Sequence, residues 1–339
     1  MNVQNIKVVL LYNEDGQISH GDAQDLLAVQ YTVTAAQHIH DALAGLGYSV
    51  QKVAVRDSLG DLENALQNYS RNDTFIFDNC DGFRGDNQAA VEVIRLIEAM
   101  GFKHTGAPAD AIALCIDKGR AKRRLIECDI PTPRFQVFDA VPGGCELEFP
   151  LIVKPLVEDA SMGIDLNSVV TNLPDLRARV DYVVAEYEQP AIVEEFIIGR
   201  ELAVAMLGNQ EIEILPIAED DYSSIPNPLE QLLTYESKWK VDSPYYQIAS
   251  RIPAALTRLD EQTIRAAAAA SFRAMGLRDL GRVDIRFRDG IPFVIDINEL
   301  PDLSPEGGFW HSAEAAGLTY PQTIERILRL ALQREGWID

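Results

Sequence analysis

The sequence predicts a mixed α/β and α+β protein, with an open, mostly parallel α/β lobe first and antiparallel-rich α+β segments after it. Three observations predict this. Strand-length and helix-length apolar patterns alternate through residues 6–101, four short strand patterns with one helix occupy 150–217, and a hairpin pattern spans 281–298. In order, the first lobe reads as strand 6–12, helix 24–45, strand 49–55, strand 74–78 and helix 88–100, the last stopped by Gly101. A second helix, N-capped by Asp110, is expected to run to about Cys128, where Pro131 and Pro133 break the chain. Strands follow at 150–154, 191–196, 201–207 and 212–217, with a helix over 173–188. The polar stretch 218–249 is too long for an ordinary connection and marks a functional loop. A helix over 260–275 leads into the hairpin, and a last helix, with Pro321 in its first turn, ends near Arg334. The expected divisions are 1–115, 116–205 and 206–339.

The hairpin carries the strongest chemical signal. Val283, Ile285 and Phe287 alternate with charge, and Phe293, Ile295 and Ile297 repeat the pattern after Asp289-Gly290. If both triplets share the buried face, partners sum to an even number, which calls for a three-residue loop with a bulge at Gly290. Residue 284 then opposes 296, and Arg282, Asp284, Asp296 and Asn298 converge on the other face. Oxygen side chains beside a fixed cation suit divalent metal ions that bridge phosphates. A solvated polar face would carry the same letters.

The net charge of −22 argues against nucleic acid or an anionic membrane as partner, although local lysines and metal ions can still make a nucleotide site. No apolar run approaches the ~20 residues that span a bilayer. Residues 1–11 lack the basic start and cleavage site of a secretory signal, so a cytoplasmic protein is expected. Cys80, Cys115, Cys128 and Cys145 show no paired spacing and read as free thiols, and the scattered histidines read as structural. Neither a P-loop nor a dinucleotide fingerprint is present. Instead, strand 150–154 ends in Lys154 and is followed by the small-residue turn 158–163, a combination that can grip phosphate oxygens. Of Glu194 and Glu201, seven apart across a bend, one could take a ribose hydroxyl pair while the strand backbone reads a purine edge, or both could simply face solvent on an edge strand.

Taken in order, Lys118, Lys154, the 194–201 stretch, Lys238, Arg282, Asp284, Asp296 and Asn298 resemble the ATP-grasp ligases, and among them the D-alanine–D-alanine ligase branch. The resemblance runs from about residue 95 to the end. Further landmarks are Met100-Gly101-Phe102-Lys103-His104-Thr105-Gly106, Ile130-Pro131-Thr132-Pro133 and Tyr235-Glu236-Ser237-Lys238-Trp239. It implies an ATP-grasp fold behind a pre-ATP-grasp lobe, in a homodimer. It also implies ATP and two magnesium ions, with manganese an acceptable replacement. Lys118 and Lys154 would hold phosphates, Glu194 and the Phe196–Ile197 backbone would read adenine, and Glu201 would take the ribose. Lys238 would reach the γ-phosphate, Asp284, Asp296 and Asn298 would hold metal, and Arg282, Lys238 and Ser161 would form the catalytic set. The implied reaction is ADP-forming ligation of a small carboxylate to an amine through an acyl phosphate.

This chain departs from the pattern at informative places. The family's Gly-Ser-Ser turn is Asp159-Ala160-Ser161, its bridging glutamate is Asp296, and its Pro-Gly pair is Pro301-Asp302. The linked Glu, Ser and Tyr that hold the first D-alanine correspond to Gln17, Ala160 and Trp239. The family's His-Gly-x-x-Gly segment is replaced by Asn79-Cys80-Asp81-Gly82-Phe83-Arg84-Gly85-Asp86. A pocket without those polar partners holds the same polar substrate poorly, so a substrate pair other than two D-alanines is expected. The alternatives are a true D-alanine–D-alanine ligase and a nucleotide-binding scaffold that has lost catalysis.

Overall fold

In this computed structural model, residues 6–15, 21, 26–56, 58–239 and 248–339 are described. The first lobe contains β1 (Lys7–Asn13), α1 (Leu26–Gly45), β2 (Ser49–Val55), α2 (Leu59–Leu66), β3 (Thr74–Asn79), α3 (Ala89–Ala99) and β4 (Lys103–His104). Its sheet is parallel throughout, in the order β2-β1-β3-β4. β1 is buried along its whole length except Lys7, as a central strand covered on both faces must be. Val8 and Leu10 pack on one side with Ile39 and Leu43. Val9 and Leu11 pack on the other with Leu62, Leu66, Ile94 and Ile97.

α4 (Ala109–Ile116) and α5 (Lys118–Glu127) lead to β5 (Phe135–Phe138), β6 (Leu151–Pro155), β7 (Val169–Val170), α6 (Leu173–Tyr187) and β8 (Ala191–Glu195). These strands form a small antiparallel sheet, β5-β8-β6-β7, covered by α6 through Leu176, Val180 and Val183. α6 starts where Asn172 accepts a hydrogen bond from the Asp175 N–H, with proline in the first turn.

The chain then crosses to a larger sheet made of β9 (Arg200–Gly208), β10 (Ile212–Ile214), β11 (Ala218–Asp220), β12 (Ser250–Arg251), β13 (Asp279–Arg288) and β14 (Ile291–Asn298). The division expected at residue 205 falls inside β9. α7 (Tyr235–Trp239) lies in the long connection, α8 (Arg258–Ala274) covers the sheet, and α9 (Gly308–Ala315) and α10 (Tyr320–Arg334) close the chain. α10 returns to the first lobe, where Ile324, Ile327 and Leu328 join the core of β1 and β3.

Three expectations are corrected. The helix expected from Asp110 to Cys128 is two helices, broken at Asp117, whose side chain accepts from Arg120 N–H and caps α5. Asp110 is not a cap but lies in the first turn of α4, after Pro108. The hairpin turn has two residues rather than three: Asp289 and Gly290 both take left-handed backbone, and Arg288 opposes Ile291. The extra residue sits instead at Ile295, between the Ile285–Val294 and Asp284–Asp296 pairs. That bulge preserves the polar register while turning Val294, not Phe293 or Ile295, into the core.

Candidate active site

α5 brings two lysines inward, because Lys118 and Lys122 are four apart and share one helical face. The Lys118 ammonium donates to the Glu158 carbonyl. Lys122 lies 2.9 Å from one carboxylate oxygen of Glu194, and Lys154, at the end of β6, lies 3.3 Å from the other. All three side chains are buried. Burial works against the Glu194 charge, but Lys122 and Lys154 outweigh it and hold the carboxyl below its usual range. Among the described residues, neither Glu194 oxygen has a hydrogen-bond partner beyond these two ion pairs.

Glu201 faces Arg286 across the β9–β13 ladder, and they form a 2.5 Å ion pair. The Tyr222 hydroxyl donates to the same carboxylate at 2.7 Å. Burial, followed by the Glu201 charge, pushes that hydroxyl well up, so it stays a donor. The Arg286 guanidinium stands over the Phe196 ring at 5.2 Å and over Tyr222 at 5.7 Å. The Phe196 N–H is committed to Pro150 O at 2.9 Å, while the Phe196 and Ile197 side chains are buried.

On the hairpin, Arg282 grips Asp284 with two parallel hydrogen bonds of 2.7 and 2.9 Å. Asn298, directly opposite Arg282, donates to Asp284 at 3.1 Å. Burial opposes the Arg282 charge, but Asp284 more than compensates and raises its pKa. Asp296 stands opposite Asp284. Burial pushes Asp296 up, but Lys118, Lys154 and weaker contributors outweigh it and keep the carboxyl depressed. The lysines of the small sheet side and the acids of the large sheet therefore share one field. A carboxylate offers about four acceptor positions; Arg282 uses two on Asp284 and Asn298 one, so an acceptor position remains there for a cation. Two carboxylates and an amide oxygen are a donor set that magnesium accepts.

Ser161 is turned elsewhere. It and Ala160 take left-handed backbone, and its hydroxyl donates to Leu233 O at 3.3 Å, tying the turn to the 218–239 stretch. Gly163 closes this turn at φ +68°, where an added Cβ would lie 2.6 Å from Pro155 Cγ, next to Lys154. Gly163→Ala should therefore cost more than about 1 kcal/mol, which a shift of the urea midpoint would read. An unshifted midpoint would show that the turn relaxes freely. The α7 backbone carries Lys238, but its side chain, like Gln17, lies outside the described residues.

Lys122, Arg286 and Tyr222 were not singled out by the sequence reading. The first two were detectable: Lys122 by its spacing from Lys118, and Arg286 by its two-residue step from Asp284.

Beside the hairpin a cavity opens between the lobes, lined by Asp78, Asp81, Lys118, Asp159, Asp296 and Asn298 among others. Asp78 is 5% exposed, and burial pushes its pKa up to about 7. Because its folded pKa exceeds the unfolded one, Asp78 imposes no cost below about pH 4 and a growing cost up to its folded pKa. The full cost is roughly 4 kcal/mol. The Asp78 contribution to the thermal midpoint of the ligand-free protein should fall between about pH 4 and 7, and Asp78→Asn should reduce that slope. An identical slope in the variant would contradict it.

Comparison with known proteins agrees with this geometry. The family model described as D-ala D-ala ligase C-terminus matches residues 137–329. The uncharacterized protein y4sG of Sinorhizobium fredii (strain NBRC 101917 / NGR234) is 35% identical over 268 residues, covering 78% of this chain and 76% of that protein. The D-alanine–D-alanine ligase of Desulforudis audaxviator (strain MP104C) is 31% identical over 245 residues, covering 70% of this chain and 76% of its own. The crystal structure of D-alanine–D-alanine ligase from Bacillus anthracis complexed with ATP superposes with a TM-score of 0.76 at 19% identity, covering 98% of this chain and 99% of that one. The fold is the ATP-grasp fold that the ordered motifs implied.

Proposed function

The chain belongs to the D-alanine–D-alanine ligase family, and from that premise we propose that it joins a small carboxylate to an amine with cleavage of ATP to ADP, on a substrate pair other than two D-alanines. The observation that carries this is the cavity that Lys118 lines together with Asp296 and Asn298, which sets a phosphate-binding cation against the hairpin ligands.

Lys118 and Lys154 bind the phosphates of ATP, with Lys238 assigned to the γ-phosphate. Glu194 keeps acceptor capacity on both oxygens, which suits the amino group of a purine. The Phe196–Ile197 segment packs against the base, and Glu201 takes the ribose once its Arg286 and Tyr222 contacts rearrange. Asp284, Asp296 and Asn298 hold magnesium, which when bound neutralises charge on the phosphate oxygens. A substrate carboxylate oxygen bonds to the γ-phosphorus as the bond from that phosphorus to the bridging oxygen breaks, leaving ADP and an acyl phosphate. The amine nitrogen then bonds to the acyl carbon, phosphate departs, and the amine loses a proton. Positioning and charge neutralisation carry most of the first step. Arg282, held rigid by Asp284, steadies the oxyanion of the second. Ser161 acts by fixing the turn over the phosphates.

Self-association through the first lobe belongs to the same proposal, and sedimentation velocity would read it. Among the described residues no helix is long and apolar enough to cross a membrane. The experiment for the reaction is ADP release from Mg·ATP with mixed panels of carboxylates and amines. Amine-dependent ADP with a new amide supports the ligase. Tight ATP binding without turnover on any pair would favour a scaffold, and turnover with D-alanine alone would favour the family's usual product.

A further inference from the structure

Resting on the ligase assignment above, we propose that one substrate is a small molecule with two ammonium groups, seated in the cleft at the carboxyl ends of β1 and β3. The sheet order β2-β1-β3-β4 sends the chain to opposite sides after these two neighbouring strands. Open parallel sheets bind ligands in the crevice at such a point. Asn13 ends β1, and Asp78 and Asn79 end β3, so the crevice is built from these residues.

Two contiguous cavities fill it, sharing Asp81, Asn87 and Asp159. The larger one reaches Lys118, Asp296 and Asn298, so its far end lies where a carboxylate would meet the γ-phosphate. Its lining is otherwise acidic, with Asp78, Asp81, Glu158, Asp159 and Glu299, and Asp15 continues the acidic wall into the smaller cavity. Lys118 is the one basic side chain among the described residues lining either cavity. Independent of the acids, Asn13 is 1% exposed, lines the smaller cavity and leaves its Oδ1 without a hydrogen-bond partner among the described residues, although its Nδ2 donates to Asp15 at 2.8 Å. A buried acceptor without a donor is costly unless a ligand supplies one. The raised pKa values of Asp78 and Asp81 reflect first burial and, for Asp81, the charges of Asp159 and Asp15. An ammonium ligand relieves both effects.

A third metal ion would meet the same charge, but the acids are spread out. Among the described residues, no three His, Cys, Asp or Glu side chains converge closely enough to hold one. Carboxylates and an amide oxygen distributed over two contiguous cavities suit separated ammonium groups instead. The molecule is either a basic amino acid, whose carboxylate faces Lys118 and Asn298, or a diamine that supplies the attacking nitrogen.

Calorimetry with the full chain in Mg·ADP would use lysine and ornithine (both enantiomers), putrescine, D-alanine and Mg²⁺ alone as probes, beside ADP release from Mg·ATP. At least one dicationic probe should bind at least about tenfold tighter than D-alanine, and Asp81→Asn and Asp78→Asn should each weaken it about tenfold. Both variants lose a desolvated charge, so unchanged or raised thermal midpoints accompany the expected loss. Lysine or ornithine binding assigns the carboxylate substrate, and putrescine binding without them assigns the amine. D-alanine binding equally well, no dication binding, or saturable Mg²⁺ binding abolished by Asp81→Asn would each overturn the proposal. Dication binding without ADP release on any pair would leave the cleft assignment standing and overturn the ligase.

Discussion

Replacing Arg282 with alanine should lower kcat by about 10²–10³-fold, the loss seen when a fixed oxyanion donor is removed. The guanidinium is bound to Asp284 through Nε and Nη2 by two short hydrogen bonds, so its orientation is set before substrate arrives. Its Nη1 group has no hydrogen-bond partner among the described residues and is available to a developing negative charge. Arg282→Lys should recover little, because an ammonium cannot reproduce the two-point grip while presenting a further N–H. The thermal midpoint should change modestly, since the side chain is only partly buried. A kcat within a few-fold of wild type, measured with saturating substrates, would remove Arg282 from the chemistry. A fall in kcat matched by collapse of ATP affinity would instead indicate that Asp284 had lost its position.

Glu194→Ala should destabilise the protein by roughly 3–5 kcal/mol, the cost of leaving buried charge uncompensated. Lys122 and Lys154 would then face each other in a buried site with no carboxylate between them. Lys122→Met should cost less, because Lys154 remains to neutralise Glu194 and the methionine fills similar volume. The pH dependence has a definite sign. Glu194 has a depressed folded pKa, so its contribution is present above the unfolded value, about 4.3, and is lost as pH falls through the folded one. Urea unfolding of the two variants would check the order. A larger loss for Lys122→Met than for Glu194→Ala would refute this account of the triad.

The sequence made β1 and β3 legible because buried parallel strands are continuous apolar runs, whereas α2 and β4, eight and two residues long, went unread. The last helix was legible for a similar reason: Pro321 starts it and its apolar face repeats without interruption. The break at Asp117 was not, because Ala, Leu, Lys and Arg, all good helix formers, dominate both sides of it. The hairpin shows both outcomes in one element. Its polar register was right, since Asp284 does oppose Asp296, while the bulge that secures it lies at Ile295, where alternation alone gives no signal. Pairings made across elements distant in sequence, such as Glu201 with Arg286 and Lys122 with Glu194, depend on which strands become neighbours. The departures at Asp81 and Asp159 were visible as letters, but only the cleft at β1 and β3 gives them a common surface.

Oxygen-isotope transfer tests the central claim most directly. The protein would be given Mg·ATP, a panel of amine acceptors, and carboxylate donors, including ornithine, lysine and D-alanine, labelled with oxygen-18 in the carboxylate. Ligation through an acyl phosphate predicts ADP, an amide, and one labelled oxygen in each inorganic phosphate released. AMP and pyrophosphate, or an amide formed with unlabelled phosphate, would contradict it.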